Sequence, residues 1–201
     1  YLPHFIGVDF KIRQDHKDCP EGLKKVAEYF FDLLTPYAYG WEDDILEAII
    51  GKQLASRGLK LSVAESCSGG LLSKRITDVP GSSAFYHGGI TAYSNFIKQS
   101  QLSVDEKLIL EYGAVSEPVA IAMAKNIKNM MDTEIGVSTT GISGPGGGSA
   151  DKPVGLVYIA VAWKNEVWVK DFNFFPQRST HREMTSQAAL NMIRKVVHEQ
   201  Y

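Results

Sequence analysis

The chain has 201 residues, 44% of them hydrophobic and 22% charged, with a formal net charge of −2. That balance describes an ordinary globular chain, large enough for one full domain and a small appendage. It carries no basic block, no apolar run long enough to cross a bilayer and no signal peptide, so neither nucleic acid nor membrane is an expected partner and the cytoplasm is the expected compartment. Cys19 and Cys67 lie far apart and match no metal or disulfide framework, as in a reducing compartment. The chain begins at Tyr1, not Met, as a piece of a longer protein would.

Residues 5–13 alternate as one strand, with Ile6, Val8, Phe10 and Ile12 on one face. Pro20 opens a helix to about Leu34, striped by Leu23, Val26, Ala27, Phe30, Phe31 and Leu34. Thr35-Pro36 stops it, and Tyr37–Tyr39 reads as a short strand. Such a unit is too small to bury much surface alone. Gly40 to Asp44 is the expected boundary, dividing the chain into 1–40 and 41–201.

Asp43 or Asp44 then caps a helix to about Ser56, with Ile45, Ala48, Ile49, Leu54 and Ala55 inward. A strand over 60–64 runs into a helix over 69–77, and residues 79–83 turn. Residues 84–93 hold strand-like pieces broken by Gly88-Gly89. Tyr93-Ser94-Asn95 caps a helix through about Gln101, and a short one follows over about 105–111. Ser116 and Pro118 start a helix in which Val119, Met123, Ile127, Met130 and Met131 keep core spacing. After a strand over 134–139 come the glycine-rich loop 141–149 and an almost continuously apolar strand over 154–163. Lys164-Asn165 turns into a second strand over 166–175, and an amphipathic helix closes the chain over 179–198. The alternation predicts an α/β fold: three layers, α/β/α, around a mixed, largely parallel sheet, with a small N-terminal αβ appendage.

The stretch Leu61–Gly70 puts a serine where a strand meets a helix. Read one way it is a capped helix, with Ser66 or Ser68 as N-cap and the glycines relieving crowding. Read the other way its free N–H groups hold an anion or a developing oxyanion, with Gly69 and Gly70 admitting a close approach. The five histidines show no ligand spacing, so no metal is expected. A Ser-His-Asp triad stays open, with His87 and His181 near the candidate loops, but Gly-x-Ser-x-Gly is absent. Loop 141–149 lacks the lysine of a phosphate loop.

What remains are polar groups at the ends of elements. Glu65-Ser66 follows one strand and Thr139-Thr140-Gly141 another, and ligands of α/β sheets collect at such carboxyl ends. Tyr93 and Lys98 lie between them in sequence, and Arg178 opens the last helix. A serine needs a base, and a lysine serves only if desolvated or held near another cation or a tyrosine. Arg178 suits a phosphate. Each also has a plain structural reading: Lys98 as a solvated charge, Tyr93 with its ring in the core, Arg178 paired with a carboxylate.

Seven motifs fall in order: Ala64-Glu-Ser-Cys-Ser-Gly-Gly70, Val79-Pro-Gly-Ser-Ser83, Tyr93-Ser-Asn-Phe-Ile-Lys98, Gly113-Ala-Val-Ser116, Thr140-Gly-Ile-Ser-Gly-Pro145, Lys152-Pro-Val-Gly155 and Arg178. Together, over about residues 43–199, they resemble the C-terminal domain of the competence/damage-inducible protein CinA, found alone as the nicotinamide mononucleotide deamidase PncC. Ser68 and Ser143 stand where the family usually has threonine and alanine. Residues 1–40 more loosely resemble the end of CinA's KH-type middle segment, without a Gly-x-x-Gly loop. CinA's N-terminal domain, associated with nucleotide pyrophosphatase activity and normally linked to this one, has no counterpart here.

The resemblance implies hydrolysis of nicotinamide mononucleotide to nicotinic acid mononucleotide and ammonia, within pyridine nucleotide recycling. It implies Ser66 as nucleophile and Lys98, helped by Tyr93, as base. Backbone N–H groups near Cys67 to Gly69 would hold the oxyanion, with Gly70 beside them. Glu65, Thr140, Gly141, Gly144, Pro145 and Arg178 are expected to face the ribose and phosphate. The partner implied is a small-molecule mononucleotide, the expected assembly a homodimer, and neither metal nor cofactor is called for. The alternative is a catalytically inactive nucleotide-binding or interaction module.

Overall fold

The computed structural model describes residues 2–4, 7–13 and 20–198. Strands β1 (Leu2–His4) and β2 (Gly7–Asp9) pair antiparallel. The single strand expected over 5–13 is therefore corrected: residues 10–13 carry no regular structure, and residues 5 and 6 lie outside the described residues. Helix α1 (Pro20–Leu33) forms where expected, but Val26 and Leu34 of its stripe stay exposed. Tyr37–Tyr39 is not a strand. The N–H groups of Tyr37 and Ala38 fold back onto the Leu34 carbonyl at 2.7 and 3.0 Å.

Helix α2 (Leu46–Ser56) starts later than expected and has no side-chain cap, because the Asp44 carboxylate accepts from the Trp41 N–H (3.1 Å) instead. Its buried face is Leu46, Ile50, Gly51 and Leu54, while Ile45 lies 50% exposed. One residue of phase turns a helix by about 100°, enough to move the face.

Five strands form the central sheet: β3 (Leu61–Glu65), β4 (Tyr86–Thr91), β5 (Ile135–Gly141), β6 (Leu156–Trp163) and β7 (Glu166–Asn173), in the order β4-β3-β5-β6-β7. β4 runs straight through Gly88-Gly89. β3 pairs parallel with β4 and β5, five residues each; β5–β6 and β6–β7 pair antiparallel over seven and eight. The sheet is thus more antiparallel than parallel, which corrects the expected largely parallel sheet. The cause is connectivity. A parallel neighbour needs a crossover of a dozen or more residues, usually a helix, whereas residues 142–155 contain none and return β6 alongside β5 in the opposite direction.

Helices α3 (Leu71–Thr77), α4 (Asn95–Ser100), α5 (Glu106–Tyr112), α6 (Glu117–Met130) and α7 (Arg178–Val197) complete the layers. On one face Leu61, Val63, Ile135, Val137, Val157, Ile159 and Val161 pack against α2, α3 and α7. On the other, Ala64 packs with Val119, Met123 and Ile127 of α6, and Ala160 and Ala162 with Ala120 and Ala124. Small strand residues let α6 sit close: a Cβ on Gly136 would lie 2.2 Å from the Ala124 carbonyl oxygen. Strand alternation sends Leu61, Val63 and Glu65 to the α3 side, which places Ser66 at the end of β3.

Candidate active site

The centre of the site is a buried pair. Lys98, near the end of α4, is only 2% exposed, and its Nζ lies 2.9 Å from Ser66 Oγ and 2.8 Å from the Ala92 carbonyl oxygen. Ser94 caps α4 by accepting from the Ile97 N–H (3.2 Å), and this cap sets the helix phase that turns Lys98 inward. Ser66 is 8% exposed. Burial brings the Lys98 ammonium down from 10.5 to about 8, with Cys67 acting weakly the other way. The solvated-charge reading of Lys98 is excluded by this burial. A lysine with that pKa is partly neutral near pH 7–8 and can take a proton from the hydroxyl it faces.

Cys67 is the neighbouring thiol, 5% exposed. Burial pushes it up to about 12, against a hydrogen bond with Thr139 and the attraction of Lys98. A thiol held protonated is a poor nucleophile.

Other residues expected at the site act within the protein. The Glu65 carboxylate accepts from the N–H groups of Gly70 (2.9 Å), Leu72 (3.0 Å) and Ser73 (2.8 Å) and from the Ser73 hydroxyl (2.5 Å). Glu65, not Ser66 or Ser68, satisfies the start of α3. The Thr140 hydroxyl, fully buried, donates to the Ala114 carbonyl (2.8 Å). Gly141 lies against β6, where a Cβ would meet the Leu156 carbonyl oxygen at 2.6 Å. Pro145 is exposed and Gly144 buried.

A second cluster forms around Arg178. Its Nη2 donates to the Tyr93 hydroxyl (2.6 Å) and its Nη1 to the Gly144 carbonyl (3.1 Å). The Tyr93 ring is 57% exposed rather than in the core, and its hydroxyl takes Arg178, not Lys98, as its partner. Gly69 and Gly70 both hold left-handed backbone, at φ 61° and 91°, in the turn after Ser66.

Three further residues contribute: Ser68 and His181 in roles the sequence did not assign to them, and Arg182, which sequence reasoning missed. Ser68 Oγ meets Thr139 Oγ1 at 2.7 Å, tying the turn to β5. His181, fully buried, uses Nε2 on the Gly155 carbonyl (3.1 Å) and Nδ1 on Ser143 Oγ (2.9 Å). The Gly155 carbonyl accepts, so Nε2 carries the proton, and burial holds the imidazole below its ordinary pKa. His181 is thus spent on Ser143, while His87 is exposed and faces the Met131 carbonyl at 3.4 Å. Neither histidine partners Ser66. The third is Arg182 of α7, four residues after Arg178, whose Nε donates to the Ser68 carbonyl (2.8 Å). The i, i+4 spacing of the two arginines was the available signal. Among the described residues no cluster of three His, Cys, Asp or Glu could hold a metal ion.

A family model of the CinA C-terminal domain matches residues 43–197. A CinA-like protein of Amoebophilus asiaticus is 39% identical over 198 residues, covering 97% of this chain and 48% of the relative. One from Desulfotalea psychrophila is 44% identical over 179 residues, 85% of this chain and 43% of the relative. The chain therefore spans about half the length of these relatives. Among solved structures, the competence/damage inducible protein CihA of Agrobacterium tumefaciens aligns with a TM-score of 0.71 at 33% identity, over 79% of this chain and 99% of that one. A CinA superfamily protein of Escherichia coli aligns with a TM-score of 0.74 at 27% identity, over 79% and 94%.

Proposed function

The chain belongs to the CinA C-terminal domain family, and from that premise we propose that it is an amidohydrolase converting nicotinamide mononucleotide and water to nicotinic acid mononucleotide and ammonia. Family membership is consistent with a hydrolase-type domain. The observation that carries the finer reading is the 2.9 Å contact between Ser66 Oγ and a lysine amine desolvated to a pKa of about 8.

The steps balance with no group outside the chain and substrate. Neutral Lys98 takes the Ser66 proton as Oγ bonds to the carboxamide carbon. The oxyanion of the tetrahedral species is held by backbone N–H groups at Cys67 and Ser68, since those of Gly69 and Gly70 already donate to the Ser66 carbonyl and to Glu65. Lys98 returns the proton to the leaving nitrogen, ammonia departs, and a nicotinoyl ester remains on Ser66. Lys98 then takes a proton from water as its oxygen bonds to the ester carbon, the bond to Ser66 Oγ breaks as Lys98 returns that proton to Oγ, and the released acid loses its own proton to solvent. Arg178, exposed beside Tyr93 and the 144–145 loop, is the charge we assign to the substrate phosphate. Glu65 and Thr140 are dropped from the substrate contacts, because their side chains are already satisfied internally.

The test is ammonia release from nicotinamide mononucleotide by the chain and by Ser66→Ala. The variant is expected to keep its fold and lose turnover. Undiminished turnover would sink the mechanism. Calorimetry showing tight binding by a wild-type chain that makes no product would favour the inactive binding module.

A further inference from the structure

Between Ser66 and α3 the chain turns tightly, and the Ser68–Gly69 and Gly69–Gly70 peptides are each gripped from two sides. On the α7 side, Arg182 Nε donates to the Ser68 carbonyl (2.8 Å) and Nη2 to the Gly69 carbonyl (3.3 Å). In a trans peptide the C=O and the following N–H point to opposite sides. Holding the Ser68 carbonyl therefore turns the Gly69 N–H the other way, where it donates to the Ser66 carbonyl (3.2 Å). Holding the Gly69 carbonyl likewise turns the Gly70 N–H onto Glu65 Oε2 (2.9 Å). The guanidinium lies over Gly69, where a Cβ would meet Nη2 at 3.3 Å. A fork of two donors in one plane makes this grip, which a single ammonium does not reproduce.

We propose that Arg182 is a positioning residue for Ser66: through the two peptides it clamps, it fixes the backbone that presents the hydroxyl to Lys98. The proposal rests on the reading of Ser66 as nucleophile. It assigns Arg182 no contact with substrate, unlike Arg178.

The test uses the full chain with Arg182→Lys and Arg182→Gln, checked for folding by thermal melts. Turnover is measured on nicotinamide mononucleotide and on its dephosphorylated riboside. In parallel, the rate at which a fluorophosphonate labels Ser66 is read by mass spectrometry. Displacing a reacting group by about 1 Å costs on the order of 100-fold, so both variants are expected to lose about 10- to 100-fold in kcat. KM should hold, the factor should be the same for both amides, and labelling should slow in parallel. Arg182→Lys keeps the charge and the stem, so it carries the comparison should Arg182→Gln fail to fold. A loss in KM confined to the phosphorylated amide would overturn the proposal in favour of a substrate contact. Unchanged kcat and labelling would overturn it outright. Should the wild-type chain label at Ser66 yet release no ammonia, the amidase reading falls while the labelling rates still decide the role of Arg182. A wild-type chain that neither labels nor turns over overturns both.

Discussion

Replacing Lys98 by Met removes the amine and keeps most of the side-chain volume. A folded-state pKa of about 8, against 10.5 in an open chain, disfavours the buried ammonium by about 3 kcal/mol at ~1.4 kcal/mol per pH unit. Met removes that cost but leaves Ser66 Oγ and the Ala92 carbonyl without their donor, a loss of about 1–3 kcal/mol. At pH 7 the two terms nearly offset, and Lys98→Met is expected to be about as stable as wild type while losing turnover. The difference between them should then move with pH. Below about pH 8 the lysine holds its proton in both folded and unfolded chains, and the difference is flat. Between about 8 and 10.5 the unfolded chain keeps a proton that the folded chain has shed, so wild-type stability rises with pH. Across that window wild type should gain about 3 kcal/mol on the variant, because groups common to both cancel. Urea denaturation of both proteins at a series of pH values measures it. The wild-type kcat/KM should rise with pH to a plateau along a limb near the same pKa of about 8. A stability difference that stays flat from pH 7 to 10.5, or an activity limb far from the stability window, would refute the buried-base argument.

Two further predictions address the neighbouring residues. Cys67→Ala should retain near-wild-type turnover, and the native thiol should resist alkylation at neutral pH, because burial holds it protonated up to about 12; loss of activity on alkylation would reverse the assignment. Glu65→Gln should lower stability by about 1–3 kcal/mol in urea denaturation, because the amide NH2 would face N–H donors that now meet a carboxylate; an unchanged midpoint would show that the start of α3 does not depend on Glu65.

Much of the local structure was legible in the residues. The apolar run before Trp163 with the Lys164-Asn165 turn is the β6–β7 hairpin, and Ser94 does cap the helix that carries Lys98. Local propensity and turn chemistry act over a few residues, and there the sequence is a sufficient guide. The start of α2 went wrong for the opposite reason: Asp44 had a choice of N–H partners, and packing of Leu46 and Ile50 chose the phase.

Residue types alone determined that Ser66 ends a strand, that Lys98 sits on a short helix after Tyr93, and that Arg178 opens the last helix. Tertiary structure alone decided which of these meet. Ser66 and Lys98 are brought together across 32 residues, Tyr93 and Arg178 across 85, and Arg182 reaches back 114 to the turn after Ser66. It also gave Glu65 and Thr140 hydrogen-bond partners within the protein, and made the sheet more antiparallel than parallel. For Ser66, Lys98, Glu65 and Thr140, all buried, the physical reason is the same. A polar side chain about to be buried must find a hydrogen-bond partner, and which one lies within reach depends on the order of strands and helices in space rather than along the chain.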